Sequence, residues 1–539
     1  MRRFLKFISM TAAAVLAAAA VYAIVTLPPR ALAPAPPPSD GRLVWGAYHV
    51  HSTRSDGSGS LDEIAAAAAR AGLHFVVFTD HGDATRLDPP VYRSGVLCID
   101  APELSTQSGH LVALNLQRPS SYPLAGEARD VIEDIHRLGG WAVAAHPESP
   151  RPELRWRAPG VQVDGFEWLN VDSEWRAHDA WRLLGAGLRL FIRAPETIAS
   201  LFESTPVPER LARVAAGDRV FSLAALDAHA RFGSDSNGAA RGAALHVPSY
   251  SSLFRTVAQA VPIERPLTGD ATVDSRLILN AIHDRRSYAI VRAFADVLAP
   301  IRFETRNGEV PTGEVSGVPD AAVSVTPITP GRYRLEARIA GRTFPWLVSD
   351  VMDVRALAVS SPASAPPENI IPSPSGTGSV VPPSDWRIEK DATSSATIQT
   401  TDNRLVLAYQ LGVGTPAGQY VALSAPAGAD PIERIEFTAS ARAPMRISLQ
   451  VRVAGGPDGQ RWGRSLYVDE TTKGISVRLS DLQPIDRRTA LRPVVARVQS
   501  VLVVIDTVNT RTGAAGELSL QNVRFVRGQV APPQPPHRP

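Results

Sequence analysis

The sequence predicts an α/β domain followed by two all-β regions, with one apolar helix in front of them. From residue 42 to residue 299, short apolar runs alternate with helical stretches, which is typical of a parallel sheet covered by helices, as a barrel or an open doubly wound sheet. From residue 300 onward the helical patterns stop, and alternating runs such as Tyr333–Ile339 predict strands. A length of 539 residues also exceeds what one hydrophobic core usually supports.

The α/β region has well-marked elements. Ser60 and Glu63 have the spacing of a capping box, and Gly72 stands where a left-handed C-terminal cap is expected, so a helix is predicted between them. Further elements are predicted as strands at Leu43–Val50, Phe75–Thr79 and Trp141–Ala145 and as a helix at Glu127–Leu138.

Composition shifts divide the chain into seven segments. The predicted boundaries are 1–29 for a signal anchor or signal peptide, 30–41 for a Pro-rich spacer, 42–299 for the α/β domain, 300–359 for a small β-domain, 360–368 for a linker, 369–527 for a β-sandwich and 528–539 for a disordered tail.

The N-terminal segment predicts a location in the cell envelope. Arg2, Arg3 and Lys6 precede an uncharged apolar run, Phe7–Leu27, that is long enough to cross a membrane. The positive end should stay in the cytoplasm, leaving the rest outside the inner membrane of a bacterial-type envelope. Ala31–Ala33 also fits a signal-peptidase site, but Pro34 would follow the cut. We therefore favour an uncleaved anchor; cleavage would give a secreted protein.

Charge and cysteine content exclude some classes of function. Lys and Arg together number 56 against 53 Asp and Glu, and no basic run is present, so no nucleic-acid patch is predicted. The single cysteine, Cys98, has no partner for a disulfide or a thiolate metal site. Any metal must therefore be held by imidazole and carboxylate groups.

Potential metal ligands cluster at the edges of apolar runs. His49 and His51 lie two apart at the end of a predicted strand, so the pleat would turn both toward one face. In a parallel sheet the carboxyl ends of strands share one rim, where ligands bind. Further ligand types stand at such edges or in the turn after the first strand: Asp56, His81, Glu103, His110, His146, Asp227 and His229.

Taken in order, these motifs (HxH, SDG, TDH, Glu, GH, AHP, DxH) resemble the metal-binding series of the polymerase and histidinol phosphatase (PHP) family over about half of the chain. The resemblance implies a distorted (β/α)7 barrel with two or three divalent ions, Zn, Mn or Fe. It also implies that His49, His51 and Asp227 hold one ion, that Glu103 bridges to a second held by His110 and His146, and that Asp56, His81 and His229 take a third.

Such a ligand set predicts an active metal-dependent hydrolase. Clustered dications provide hydroxide near neutral pH and stabilise a phosphoryl or acyl group as charge develops. A small-molecule phosphoester is the first expected substrate, which makes the protein a phosphatase-type phosphoesterase. The alternative is a carboxylic ester or carbamate, because the segment ending in Arg285–Tyr288 looks like one found in secreted members similar to carbaryl hydrolase. A non-catalytic glycan- or protein-binding protein is the rival from another class.

Three further residues are candidates for catalysis. Asp80 is expected either to orient an imidazole or handle a proton, or to stabilise a turn. Arg54 and Arg231 are candidate oxyanion clamps or, alternatively, surface arginines. Glu167 and Asn170 match positions beside the family's site and predict either substrate contact or helix capping.

The C-terminal region 369–527 resembles a jelly-roll of the carbohydrate-binding-module type. If its aromatic residues were exposed they would form a sugar-stacking platform; a structural or protein-contact role is the preferred interpretation. The aromatic residues concerned are Trp386, Tyr420, Trp462 and Tyr467.

Overall fold

A computed structural model describes most of the chain. The described residues are 2–30, 41–205, 220–230, 248–294, 301–307, 310–317, 331–339, 342–354, 378–401, 403–414, 418–454, 460–485 and 497–527. Most of the predicted spacer, the linker at 360–368, the tail at 528–539 and Arg231 lie outside these ranges. The chain forms two compact units, one comprising Met1–Pro119 and Val131–Ser361 and the other Ser120–Asp130 and Pro362–Pro539.

Helices occur in the first part of the chain. They are α1 (Arg2–Val25), α2 (Leu61–Arg70), α3 (Ala128–Arg137), α4 (Val171–Arg176), α5 (Ala180–Ala199), α6 (Tyr250–Phe254) and α7 (Ala271–His283). The capping box predicted for α2 is present, with the Ser60 side chain accepting from Glu63 N, and Gly72 has the left-handed φ of +71° expected of it.

The strands of the first unit form two sheets. They are β1 (Leu43–Val50), β2 (Phe75–Phe78), β3 (His81–Gly82), β4 (Val91–Arg93), β5 (Val96–Asp100), β6 (Glu103–Thr106), β7 (Gly109–Leu114), β8 (Trp141–Ala144), β9 (Gly165–Asn170), β10 (Phe221–Ala225), β11 (Ala258–Pro262), β12 (Tyr288–Ile290), β13 (Ile301–Asn307), β14 (Val310–Gly317), β15 (Gly331–Ile339), β16 (Leu347–Ser349) and β17 (Met352–Val354). One sheet runs β14-β13-β15-β16-β12-β11-β1-β2-β5-β4, with β17 on β15, and the other runs β10-β9-β8-β7-β6-β3.

Both sheets are mixed, so the expected parallel pairing is present in only part of each sheet. β1, β2 and β5 pair in parallel, as do β8, β9 and β10. β6 and β7 pair antiparallel because only Gln107 and Ser108 separate them, too few residues for a crossover. The region predicted as a small β-domain continues the first sheet, since β16 pairs with β12. A seven-stranded barrel stays a prediction.

The two sheets of the first unit meet beside the end of β1. Leu226 N donates to Tyr48 O, Ala228 N donates to His49 O, and His51 N donates to Ala228 O. These bonds hold the segment after β10 against the carboxyl end of β1, so ligand-bearing segments far apart in sequence become neighbours.

Gly46 allows β1 and β2 to approach closely, and we expect Gly46→Ala to destabilise the first unit. Gly46 pairs with Phe75 across the two strands, and an added Cβ would lie 2.3 Å from the buried Phe75 ring. Overpacking of this kind costs about 1–3 kcal/mol. Urea denaturation should show this loss, whereas Gly474→Ala, where a Cβ meets nothing within 4 Å, should unfold like wild type. Equal stability of the two variants would contradict this packing.

Asp350 gives the first unit a pH-dependent stability. Its Oδ2 accepts from Ser222 N and its Oδ1 from Val351 N, but burial outweighs these bonds and raises the pKa of the carboxyl from 3.8 to about 7. The neutral carboxyl contributes its full stabilisation of the folded state below the pKa that Asp350 has in the unfolded chain. This contribution is lost as pH rises through about 7, the pKa in the folded state.

We therefore expect the free energy of unfolding of wild type to fall relative to Asp350→Asn between pH 4 and pH 8, by up to about 4 kcal/mol. Denaturation curves at several pH values measure this difference. Because Asn loses one acceptor, the variant's absolute stability is not diagnostic; parallel pH profiles for the two proteins would exclude the effect.

The second unit is a β-sandwich. Its strands are β18 (Ser379–Val380), β19 (Arg387–Lys390), β20 (Ser395–Thr401), β21 (Arg404–Gln410), β22 (Tyr420–Pro426), β23 (Ile432–Ala441), β24 (Met445–Val453), β25 (Gln460–Val468), β26 (Lys473–Arg478), β27 (Gln483–Pro484), β28 (Val498–Asp506) and β29 (Ala515–Arg527). The sheets run β20-β21-β29-β23-β26, with β18 on β29, and β19-β22-β28-β24-β25-β27. Side chains from both enclose one apolar core.

Candidate metal centre

The structure brings all nine predicted metal ligands into one region of the first unit. They stand on strands of both sheets or in the segments that follow them. Their donor atoms form four overlapping groups, with the atoms of each group within 4.8 Å of one another: His51, Asp56, His81 and His229; His49, His146 and Asp227; His49, His51 and Glu103; and His81, Glu103 and His110.

Glu103 is the central carboxylate of the cluster. Its side chain is 1% exposed. Oε1 lies 2.7 Å from His110 Nδ1 and 2.8 Å from His146 Nε2. Oε2 lies 3.3–3.4 Å from nitrogens of three more imidazoles, those of His49, His51 and His81. One carboxylate thus touches five imidazoles, the arrangement expected of a bridging ligand.

Asp227 closes the cluster on the side of the second sheet. Its Oδ1 lies 3.5 Å from His49 Nε2, 3.3 Å from His51 Nε2 and 3.6 Å from His229 Nδ1. Asp227 lies just beyond β10, and its φ of +51° directs it toward the end of β1.

Asp56 lies on the solvent side of the cluster. Its Oδ2 is 3.1 Å from His229 Nε2 and 3.7 Å from His81 Nε2, and the His81 and Asp56 side chains are about one-third exposed. The next residue must be glycine because a Cβ at Gly57 would lie 2.2 Å from His51 O. The centre is therefore open toward solvent on the side of Asp56 and His81.

The spacing of the donor atoms suits divalent ions. The carboxylate–imidazole separations of 3.3–3.5 Å around His49 and His51 match the ~3.3 Å edge of a tetrahedron with metal–ligand bonds of about 2.0–2.1 Å. Glu103 Oε2 is buried without a hydrogen bond, which is costly for a carboxylate oxygen unless a cation contacts it. A set of imidazole and carboxylate donors is compatible with Zn, Mn or Fe.

Three histidines are oriented so that Nε2 points into the cluster, toward the other ligands. Carbonyl and carboxylate oxygens accept hydrogen bonds, so a neutral imidazole facing one through Nδ1 carries its proton there and keeps the Nε2 lone pair. His146 Nδ1 faces Leu154 O at 3.2 Å, and His229 Nδ1 faces Asp227 O at 3.0 Å. His49 Nδ1 lies 2.6 Å from Glu167 Oε1.

The buried carboxylates make the centre strongly attractive to cations. Burial alone would lower the pKa of His146, but Glu103 outweighs it and raises that pKa to about 9. Burial likewise opposes protonation of His229, and Asp56 raises its pKa to about 9. Burial tends to raise the pKa of Asp227, yet the neighbouring imidazoles hold it well below its usual value.

Backbone strain is concentrated at ligand positions. His49 has a φ of +65° and His146 has a φ of +29°, a region that residues with a Cβ rarely adopt. The register of β1 against β2 shifts between Ala47 and Val50, so the convergence of His49 and His51 does not arise from a regular pleat alone. Strain of this type collects at functional sites, and sequence patterns do not reveal it.

Glu167 has a larger role than its sequence pattern indicated. Its Oε1 faces His49 Nδ1, and its Oε2 accepts from His146 N and from Asn170 Nδ2. Asn170 also caps α4, because its Oδ1 accepts from Ser173 N. Capping is thus confirmed for Asn170. Glu167 positions two of the ligands, through Nδ1 of His49 and the backbone N of His146.

The three candidate catalytic residues have different surroundings. Asp80 accepts from Ser52 N at 2.7 Å and from Ser55 Oγ at 2.7 Å, which favours its role in stabilising the turn. Arg54 pairs with Asp80 and with two further carboxylates, Asp88 and Asp100. With its donors engaged, Arg54 is suited to holding the loop rather than to binding an oxyanion. Arg231 lies outside the described residues.

The structure does not support an aromatic sugar platform in the sandwich. Trp386 and Trp462 belong to its buried core, because they face inward between the sheets, and Tyr420 and Tyr467 are half-buried. The unit does have a cavity of about 650 Å³, lined in part by Tyr122, Tyr409, Arg442, Asn509 and Glu517.

Comparisons with known proteins give partial structural overlaps only. No family model and no curated protein match the sequence. A family 11 carbohydrate-binding module from Clostridium thermocellum has a TM-score of 0.23 and 14% identity, covering 26% of this chain and 89% of that one. An exo-beta-agarase has a TM-score of 0.20 and 11% identity, covering 27% and 24%. A structure described as CBM4 has a TM-score of 0.19 and 12% identity, covering 26% and 86%.

Proposed function

We propose that the first unit is a metal-dependent hydrolase of the PHP type, with phosphoesters as its first substrate class. The observation that carries the proposal is the convergence of nine imidazole and carboxylate donors around Glu103. Divalent ions held by these donors would lower the pKa of water and neutralise charge on a phosphoryl group.

The chain's own residues supply positioning and polarity. Glu167 and two backbone carbonyls hold the three Nδ1 positions, which presents Nε2 of His49, His146 and His229 toward the centre. The exposed side, near Asp56 and His81, is where a small ester would approach. A carboxylic ester or carbamate would meet the same groups.

The proposed location is the cell envelope. Residues Phe7–Val25 of α1 are long and apolar enough to cross a membrane, and this helix would act either as an anchor or as a signal sequence. With the anchor retained, the metal centre would lie outside the cytoplasm.

Metal content together with hydrolysis of p-nitrophenyl phosphate and p-nitrophenyl acetate tests the proposal. We expect two or three ions per chain in wild type and loss of both metal and activity in His49→Ala and Asp227→Ala. His136→Ala is the matched control, because His136 pairs with Asp164 outside the cluster and should keep both.

The ester that is hydrolysed faster identifies the substrate class. Faster turnover of the phosphate ester supports a phosphoesterase, and faster turnover of the acetate supports the carboxylic ester or carbamate branch. Absence of both metal and activity after reconstitution with Zn, Mn and Fe would overturn the catalytic proposal. The sandwich, as a glycan- or protein-binding unit, would then become the place to look for function.

A further inference from the structure

Helix α5 has an exposed apolar stripe that nothing in the hydrolase proposal uses. Trp181 is 82% exposed and Phe191 is 67% exposed. At about 100° per residue, five exposed side chains fall on one side of the helix: Trp181, Leu184, Leu188, Phe191 and Ile192. The opposite side, with Leu190 and Ala194, packs into the core of the unit.

The stripe lies beside the C-terminal end of the apolar helix α1. Gly185 of α5 faces the Tyr22 hydroxyl, to which an added Cβ would come within 3.1 Å. Arg189 Nη1 donates to Thr26 O at 3.1 Å, and Arg193 Nη1 donates to Pro28 O at 2.7 Å. α5 is therefore fixed to the residues that immediately follow the candidate membrane span.

This attachment determines the level at which a bilayer would meet the unit. The span Phe7–Val25 has 19 residues, about 28 Å at ~1.5 Å per residue, close to the ~30 Å of a hydrocarbon core. Ala23 is the only buried side chain in this span. The folded part of the first unit therefore starts at the C-terminal end of the span. Helix α5 would lie at that membrane–water interface.

The charges around the stripe fit an anionic lipid surface. Helix α5 contains Arg182, Arg189 and Arg193 within the length of the stripe, and the nearest acidic residues, Asp179 at the N-cap and Glu196, lie just beyond its two ends. Tryptophan is enriched at membrane interfaces, and helices that lie in the interface combine an apolar face with Lys and Arg beside it; at about 100° per residue the three arginines lie along one edge of the stripe. We propose that α5 lies on the outer leaflet of the same membrane that α1 spans, with its stripe inserted among the phospholipids.

Spin labels test this placement in the full-length protein. Cys98 is buried, so cysteines introduced on the surface can be labelled selectively. Labels at Leu184→Cys, Leu188→Cys and Phe191→Cys are compared with Arg182→Cys, the control on the same helix, and with Val15→Cys in the span. The protein is reconstituted into vesicles of phosphatidylglycerol and phosphatidylethanolamine, and accessibility to oxygen and to a nickel complex is measured.

We expect the ratio of oxygen to nickel accessibility at positions 184, 188 and 191 to be several-fold above that at 182 and closer to that at 15. Equal ratios at all four α5 positions would overturn the proposal. Exclusion of both reagents from the stripe would overturn it in favour of a protein contact, such as a second copy. An aqueous ratio at position 15 would overturn it because α1 would not span the bilayer.

A double variant adds a second readout. Trp181→Ser with Phe191→Ser changes two exposed side chains and should lower the ratio at position 188 toward that at 182. Metal content and hydrolysis of a soluble ester should be unchanged. The inference rests on the proposed anchor but not on the hydrolase activity, so the two proposals fail in different assays.

Discussion

Glu103→Gln is expected to remove at least one bound ion and to lower kcat/KM by at least about two orders of magnitude. The substitution keeps the shape of the side chain but removes the charge that faces five imidazoles. Changing a group that only supports a metal ligand already costs about 10–100-fold, so a central ligand should cost more. Elemental analysis after dialysis and steady-state kinetics measure the two effects.

Asp274→Asn is the matched control for this variant. Asp274 is also a buried carboxylate, but it accepts from Thr268 N and Gly269 N at the start of α7, outside the cluster. We expect some loss of stability and normal metal content per folded chain. If Glu103→Gln retained all ions and full activity, Glu103 would not be a ligand.

Glu167→Gln is expected to weaken metal affinity by about 10–100-fold while leaving the number of sites unchanged. Glu167 lies 2.6 Å from His49 Nδ1 and accepts from His146 N, so the amide would provide one acceptor where two are needed. Excess metal should restore most of the activity, which it should not do for Glu103→Gln. Titration of the metal-free protein with Zn or Mn measures the shift.

The control for Glu167→Gln is Glu174→Gln, a buried carboxylate seven residues further on that accepts from Thr205 Oγ1. Its metal affinity should equal that of wild type. Irreversible loss of metal from Glu167→Gln would mean that Glu167 binds the ion itself, and unchanged affinity would mean that it does not orient His49.

Local signals in the sequence predicted many elements correctly. The capping box at Ser60 and the glycine at position 72 depend on residues within one turn, so they could be identified without the fold. Strand positions follow from short apolar runs and from apolar alternation, which also depend on neighbours only. Strand pairing was not predictable in this way, and the expected parallel sheet was wrong where a two-residue connection forces an antiparallel pair.

The sequence by itself determined that imidazole and carboxylate groups occur at strand edges, because strand ends and residue types are local properties. Only the tertiary structure decided which donors adjoin Glu103, that Glu167 supports His49 from behind, and that Arg54 is engaged by three carboxylates. It also decided which side of α5 faces outward. Most of these features depend on contacts between residues tens to more than one hundred positions apart, and no local pattern encodes such distances.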